Sequence, residues 1–191
     1  GKIAVVAKTN MRDGFKGGNR LDEGIRIAQE LEQLGLHGLV LSGGFVSKAP
    51  MYVMRGEMPI YTMTHYMKEW WLKYSVRLFG GMMIPKEPYR PLYFLDDALQ
   101  VRQAVKLPLI YVGGLISKQK MEEVLDAGFI GLQMARALVH DTDFVNKLQS
   151  GELERSACKH SNYCIGRMYT LEMKCHHCVE NLPAKLQRAI E

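Results

Sequence analysis

The chain has 191 residues, 47% of them hydrophobic and 24% charged, which excludes a disordered segment, a collagen-like repeat and a disulfide-dense miniprotein. Its 25 basic and 20 acidic residues, net +5, are spread along the chain. Nucleic-acid partners usually meet a clustered patch, so none is expected. No run of 18 apolar residues occurs, and Gly1-Lys2-Ile3-Ala4-Val5-Val6 leads straight into a strand-like run rather than a signal peptide. A soluble, cytoplasmic protein without a membrane partner is the expectation.

Four short apolar runs, Ile3 to Ala7, Leu39 to Leu41, Leu107 to Val112 and Phe129 to Met134, lack polar alternation. Such runs suit strands covered on both faces, as in parallel sheets. Helical spacing fills the intervals. Leu21, Ile25, Ala28 and Leu31 mark a helix over 20 to 34, with Asn19 as N-cap and Gly35 as stop. Met121, Val124 and Leu125 mark another over 118 to 127, between Ser117 and Gly128. Strand alternating with helix predicts an α/β fold with parallel strands and right-handed crossovers.

Phe45 to Tyr93 breaks this rhythm with five prolines and the pair Trp70-Trp71. It reads as a loop, one helix over about 63 to 78 and an irregular return, a long insertion after the second strand. Its methionines and tryptophans read as packing residues. Asp96-Asp97 open a further helix, Asp141 caps one over 142 to 149, and Pro183 opens a last one over 183 to 190. His37 and His65 stand alone and read as structural. Residues 1–150 form the main body and 151–191 a cysteine-containing extension packed on it.

Candidate chemistry gathers at strand ends. Phosphate needs backbone N–H groups approachable without a Cβ in the way, plus a fixed cation. Gly113 and Gly114 after one strand, with Ala135 and Arg136 after the next, supply both; the plainer alternative is that the glycines only end a strand. Lys8 ends the first apolar run, as a site residue or as a snorkelling lysine. Leu41-Ser42-Gly43-Gly44 repeats the strand-to-glycine pattern, for a ligand or for a turn.

Val5 to Asn10, Leu39 to Gly44, Pro108 to Gly114, Gln133 to Leu138 and His160-Ser161-Asn162-Tyr163-Cys164-Ile165, taken in order, resemble the NADH:flavin oxidoreductase or old yellow enzyme family of FMN-binding barrels. The resemblance implies that the four strands are strands 5 to 8, the C-terminal half, of a TIM (β/α)8 barrel, since a whole barrel takes about 250 residues. It places Lys8 at the flavin N1 and O2, where it would stabilise reduced flavin. Gly113, Gly114, Ala135 and Arg136 then hold the FMN phosphate, and Ser42 and Gly43 lie near the substrate face. It implies hydride transfer from NAD(P)H through FMN to an electron-poor alkene. The family's substrate-binding His pair lies on an earlier strand with no counterpart here, so the isolated chain is expected to be inactive. Cut sheet edges predict self-association.

Cys158, Cys164, Cys175 and Cys178 fall within 21 residues, close enough in sequence to surround one metal or cluster. The segment is similar to the cysteine motif that holds a 4Fe-4S cluster in dienoyl-CoA reductases, but Ser161 stands where a cysteine is expected and Cys178 is additional. An iron-sulfur cluster, zinc (with His160, His176 or His177 as further candidates) and free cysteines all remain open. Two other functions are compatible with the pattern: a metal-stapled half-barrel binding module, and another phosphate-binding barrel enzyme.

Overall fold

The computed structural model describes residues 3–65, 67–83, 87–167 and 173–178. Four strands, β1 (Val6–Asn10), β2 (Gly38–Ser42), β3 (Leu109–Val112) and β4 (Gly131–Gln133), form one sheet in the order β1-β2-β3-β4. Every neighbouring pair is parallel. Three of the strands are shorter or later than their apolar runs, most clearly the first, expected from Ile3 to Ala7, whereas β2 extends its run by one residue at each end. Ile3 is 80% and Val5 56% exposed. The Val5 amide donates to His37 Nδ1 and its carbonyl accepts the His37 amide, so ladder pairing begins only at Val6 opposite Gly38. Lys8 therefore lies in the middle of a strand, not at its end, and His37 has a structural task.

Register sorts the strands into two faces. Ala7, Leu39 and Leu109 align, as do Thr9, Leu41, Tyr111 and Leu132. Leu39, Leu41, Leu109 and Tyr111 are fully buried beneath helices. Helix α1 (Leu21–Gln33) contributes Leu21 and Ala28 to that core. Its N-cap is Arg20 rather than Asn19, because the Glu23 carboxylate accepts the Arg20 amide, half of a capping box. Its end is as expected: Gly35 at φ +82° lets Gly35 N–H reach Glu32 O and Leu36 N–H reach Leu31 O, a Schellman turn.

The insertion holds more helix than its prolines suggest. α2 (Pro50–Met54) forms where a loop is expected, and in place of one helix over 63 to 78 stand α3 (Ile60–His65) and α4 (Trp70–Met83). The apolar spacing hides the end of α3, where a carbonyl and a hydroxyl accept hydrogen bonds from the next helix. Lys73 Nζ donates to His65 O, and Arg77 Nε donates to Thr64 Oγ1. Met51 is buried, but Trp70 and Trp71 are 72% and 58% exposed, so the tryptophans are not packing residues here.

Helices α5 (Leu95–Ala104) and α6 (Lys118–Asp126) complete the cover, the latter capped by Ser117 Oγ accepting the Lys120 amide and stopped at Gly128. A short helix follows β4 directly, α7 (Arg136–His140), which places Arg136 at a helix start rather than on a strand tip. Then come α8 (Phe144–Ser150), α9 (Tyr163–Arg167) and a 3-10 turn at His176–Cys178. Asp141 does not cap α8 directly: it accepts the Asp143 amide and Lys147 Nζ, so the helix starts at Phe144. Those two hydrogen bonds, Lys147's the larger, hold its carboxyl below the usual range. The expected helix over 183 to 190 lies outside the described residues. Among the described residues no helix is long and apolar enough to cross a membrane.

Candidate anion and cofactor site

The opposite face of the sheet carries Lys8, Val40, Ile110 and Gly131 in one row and Val112 and Gln133 in the next. In a flat sheet the two outermost of four strands stand roughly 14 Å apart. Yet Lys8 Nζ on β1 donates to Gln133 Oε1 on β4 at 3.0 Å. The sheet is therefore curled, with this face concave.

At its carboxyl end lies a cavity of about 220 Å³ lined by Lys8, Ser42, Gly113, Gly114, Ala135 and Arg136, together with Tyr89, Tyr93 and His160. Six of the seven candidate residues for cofactor binding thus meet at one place. Gly43 is set otherwise: a Cβ there would fall 2.9 Å from Phe94, so its glycine serves packing. Gly113 and Gly114 combine both demands. They take φ +122° and +71°, and a Cβ would lie 2.8 Å from the Phe94 ring and 2.5 Å from Leu92 N. The turn before α5 presses on them from one side while the cavity opens on the other.

Arg136 is aimed by an asparagine. Its Nη1 donates to Asn162 Oδ1 and to Arg55 O, both at 2.8 Å. Asn162 is 2% exposed, sits at φ +57°, and donates through Nδ2 to Glu57 O and Arg55 O. Asparagine tolerates that left-handed conformation better than most residues. One side chain thus ties the loop after α2, the start of α7 and the start of α9. These two bonds occupy Nη1, leaving the N–H groups of Nη2 and Nε for Tyr93, for other neighbours or for a ligand.

The wall is aromatic. The His160 ring stacks on Tyr89 at 3.4 Å and 18°, and Arg136 stands 5.6 Å from the Tyr89 centroid. Burial first, then the charges of Arg136 and Arg155, push the His160 pKa down to about 4. Burial likewise raises Tyr89 to about 12. At neutral pH both rings are uncharged, and the fixed charge of the site is that of Arg136 and Lys8. Gly56 lets His160 approach, since a Cβ there would collide with His160 O.

Tyr89 and His160 also line a larger cavity of about 670 Å³, bounded by Gly56, Met58, Ile60, Gly80 and Pro88. Size favours that space, but the converging donors lie in the smaller one. A third hollow, of about 550 Å³, lies by the loop from Arg12 to Arg20.

The cysteines divide. His140, Cys175 and Cys178 place their ligand atoms within 4.8 Å of one another. Cys158 and Cys164 lie outside that group, and all four are free. Burial, chiefly, raises the Cys164 thiol pKa. His160 faces the strand-end cavity, His177 Nε2 meets Ser161 Oγ at 3.0 Å, and nothing is described of the His176 side chain. Asn162 and His140 carried no separate expectation. Asn162 had no signal beyond its place in the His160 to Ile165 segment, and His140 is 35 and 38 residues from its sulfur partners.

No protein-family model matches the chain. It is 38% identical over 169 residues to a 4,4'-dithiodibutanoate disulfide reductase of Rhodococcus erythropolis, covering 88% of this chain and 42% of that protein. It is also 32% identical over 89 residues to an N,N-dimethylglycine/sarcosine dehydrogenase of Chromohalobacter salexigens, covering 46% of this chain and 13% of that one. The chain spans less than half the length of either relative. Both relatives carry oxidoreductase names.

Proposed function

We propose that the chain is the phosphate-gripping half of a flavin-dependent oxidoreductase: four parallel strands of a TIM-type barrel, with an extension that begins at residue 151 and whose described residues, 151–167 and 173–178, pack on it. The observation that carries this reading is the cavity at the strand ends, where Arg136, Lys8 and the Gly113-Gly114 turn converge on the concave side of a curled parallel sheet. Brackets of this kind at the carboxyl ends of the last two barrel strands suit a phosphoryl group. The reductase and dehydrogenase names of the two relatives support the reaction class.

The residues present fit FMN at its phosphate end. A dianion there meets the guanidinium and glycine amides, and among the described residues no carboxylate lines the cavity to oppose it. Bound FMN would supply two-electron hydride chemistry between NAD(P)H and an acceptor. Arg136, held by Asn162, fixes the phosphoryl end. Lys8, held by Gln133, supplies a cation about which negative charge on a reduced ring is stabilised. Neutral His160 and Tyr89 close one wall without adding charge. The acceptor is an electron-poor bond: an alkene by the resemblance described above, a disulfide by the name of the Rhodococcus relative. NAD(P)H oxidation requires the remaining strands, so the chain alone binds without turning over.

Titration of the chain with FMN, followed by flavin fluorescence, tests this. Saturable binding that inorganic phosphate competes away is expected, weakened roughly 10–100-fold in Arg136→Ala, as for one charged hydrogen-bonding group. Equal affinity of the variant, absence of binding, or NADH oxidation by the chain alone contradicts it.

A further inference from the structure

We propose that His140, Cys175 and Cys178 form a zinc site that staples the 173–178 segment onto α7. This stands independently of the flavin reading. His140 Nδ1 lies 3.3 Å from Cys175 Sγ and 3.3 Å from Cys178 Sγ. Zinc bonds of about 2.0–2.1 Å to nitrogen and 2.3 Å to sulfur, at tetrahedral angles, leave an N···S edge of about 3.6 Å. Both N···S pairs already stand near that spacing, and all three ligand atoms lie within 4.8 Å of one another.

The backbone explains why the two sulfurs converge. Cys178 N–H donates to Cys175 O, closing the His176–Cys178 turn, so the thiols of two cysteines three positions apart emerge together. His140 comes from the last residue of α7. Coordination through Nδ1 leaves the proton on Nε2, and each thiol gives up its proton when zinc binds. No electron transfer is involved. The donor set of one imidazole and two thiolates suits zinc with a fourth position for water, Cys178 being exposed. An iron-sulfur cluster would take thiolate ligands, and Cys158 and Cys164 do not join this group.

The consequence is mechanical. A single turn of helix separates His140 from Arg136, at 1.5 Å rise per residue. Zinc would fix the far end of the helix whose first residue enters the strand-end cavity.

The test loads the purified chain with zinc alone and counts bound metal, then repeats the loading with cobalt. One zinc per chain is expected, and cobalt should show thiolate charge-transfer bands with the intense visible absorption of a tetrahedral site. Cys178→Ser and His140→Ala should each weaken zinc by more than about tenfold, whereas Cys158→Ser and Cys164→Ser should leave the stoichiometry unchanged. Because a variant can misfold, alkylation mapping of the unaltered chain supplies a second readout. Zinc should protect Cys175 and Cys178 but not Cys158. Three outcomes overturn the site: zinc binding that survives Cys178→Ser and His140→Ala, a brown cluster that depends on Cys158 and Cys164, or a Cys175–Cys178 disulfide in a chain that takes up no zinc.

Discussion

The two faces of the sheet are built from alternate residues of the same four strands and have opposite characters. On the helix-covered face Leu39, Leu109 and Tyr111 are at most 1% exposed and pack into the main core. On the concave face Val6 is 51% exposed, Ile110 and Val112 are half-buried, and Lys8 and Gln133 meet across the opening. Parallel sheets are ordinarily covered on both faces. Most of the buried apolar side chains of the sheet therefore lie on one side, with Val40 the buried exception on the other, where the candidate binding residues gather. Substitutions on the first should read out in unfolding, and those on the second in ligand affinity.

The largest effect expected is at Tyr111. Its ring is buried against Phe129, and its hydroxyl accepts the Phe94 amide and donates to Gly113 O. Tyr111→Ala should cost about 3–5 kcal/mol in denaturant unfolding. A loss below about 1 kcal/mol would erase the distinction between the faces. Asn162→Ala comes next, at about 2–4 kcal/mol, since it strands two backbone carbonyls and an Arg136 N–H. It should also weaken flavin binding, because Arg136 loses its aim; unchanged affinity would show that the guanidinium is positioned by something else.

His160 sharpens the contrast through pH. Its pKa, depressed to about 4 in the fold, lies below the unfolded value near 6.5. Between those values the unfolded chain binds the extra proton, so this contribution is whole above pH 6.5 and drains away as pH falls toward 4. Discounted for partial solvent screening, it amounts to on the order of 1–2 kcal/mol. In His160→Gln the stability change over this window should shrink by that amount, and an unaltered slope would remove His160 as its source. The smallest stability effect belongs to Lys8→Met. The Lys8–Gln133 hydrogen bond is exposed, so unfolding should shift by less than about 0.5 kcal/mol while flavin affinity falls. A large stability loss without a change in affinity would reverse its assignment.

Much of this was visible in the residues. Short unalternating apolar runs marked all four strands, and Gly35, Ser117 and Gly128 bounded their helices because capping is local chemistry. Boundaries failed where distant contacts decide them. Val5 is apolar yet lies outside the ladder because His37 takes its backbone groups. The helix expected over 63 to 78 is two, since Lys73 and Arg77 reach back to the end of α3. In the site, glycines and a cation at successive strand ends announced the cavity. Asn162 could not be found that way, for its task depends on carbonyls more than 100 residues earlier. His140 was equally hidden, lying on a short helix that no periodicity revealed.

The account rests on the Gly113-Gly114 turn presenting its amides to a phosphoryl group beside Arg136. Amide chemical shifts followed during titration with FMN, and then with inorganic phosphate, test it most directly. The Gly113 and Gly114 resonances should move saturably with both ligands, and in Arg136→Ala the same movement should need roughly 10–100-fold more ligand. Shifts confined to Gly14, Gly17 and Gly18, in the basic loop beside the third hollow, would contradict it.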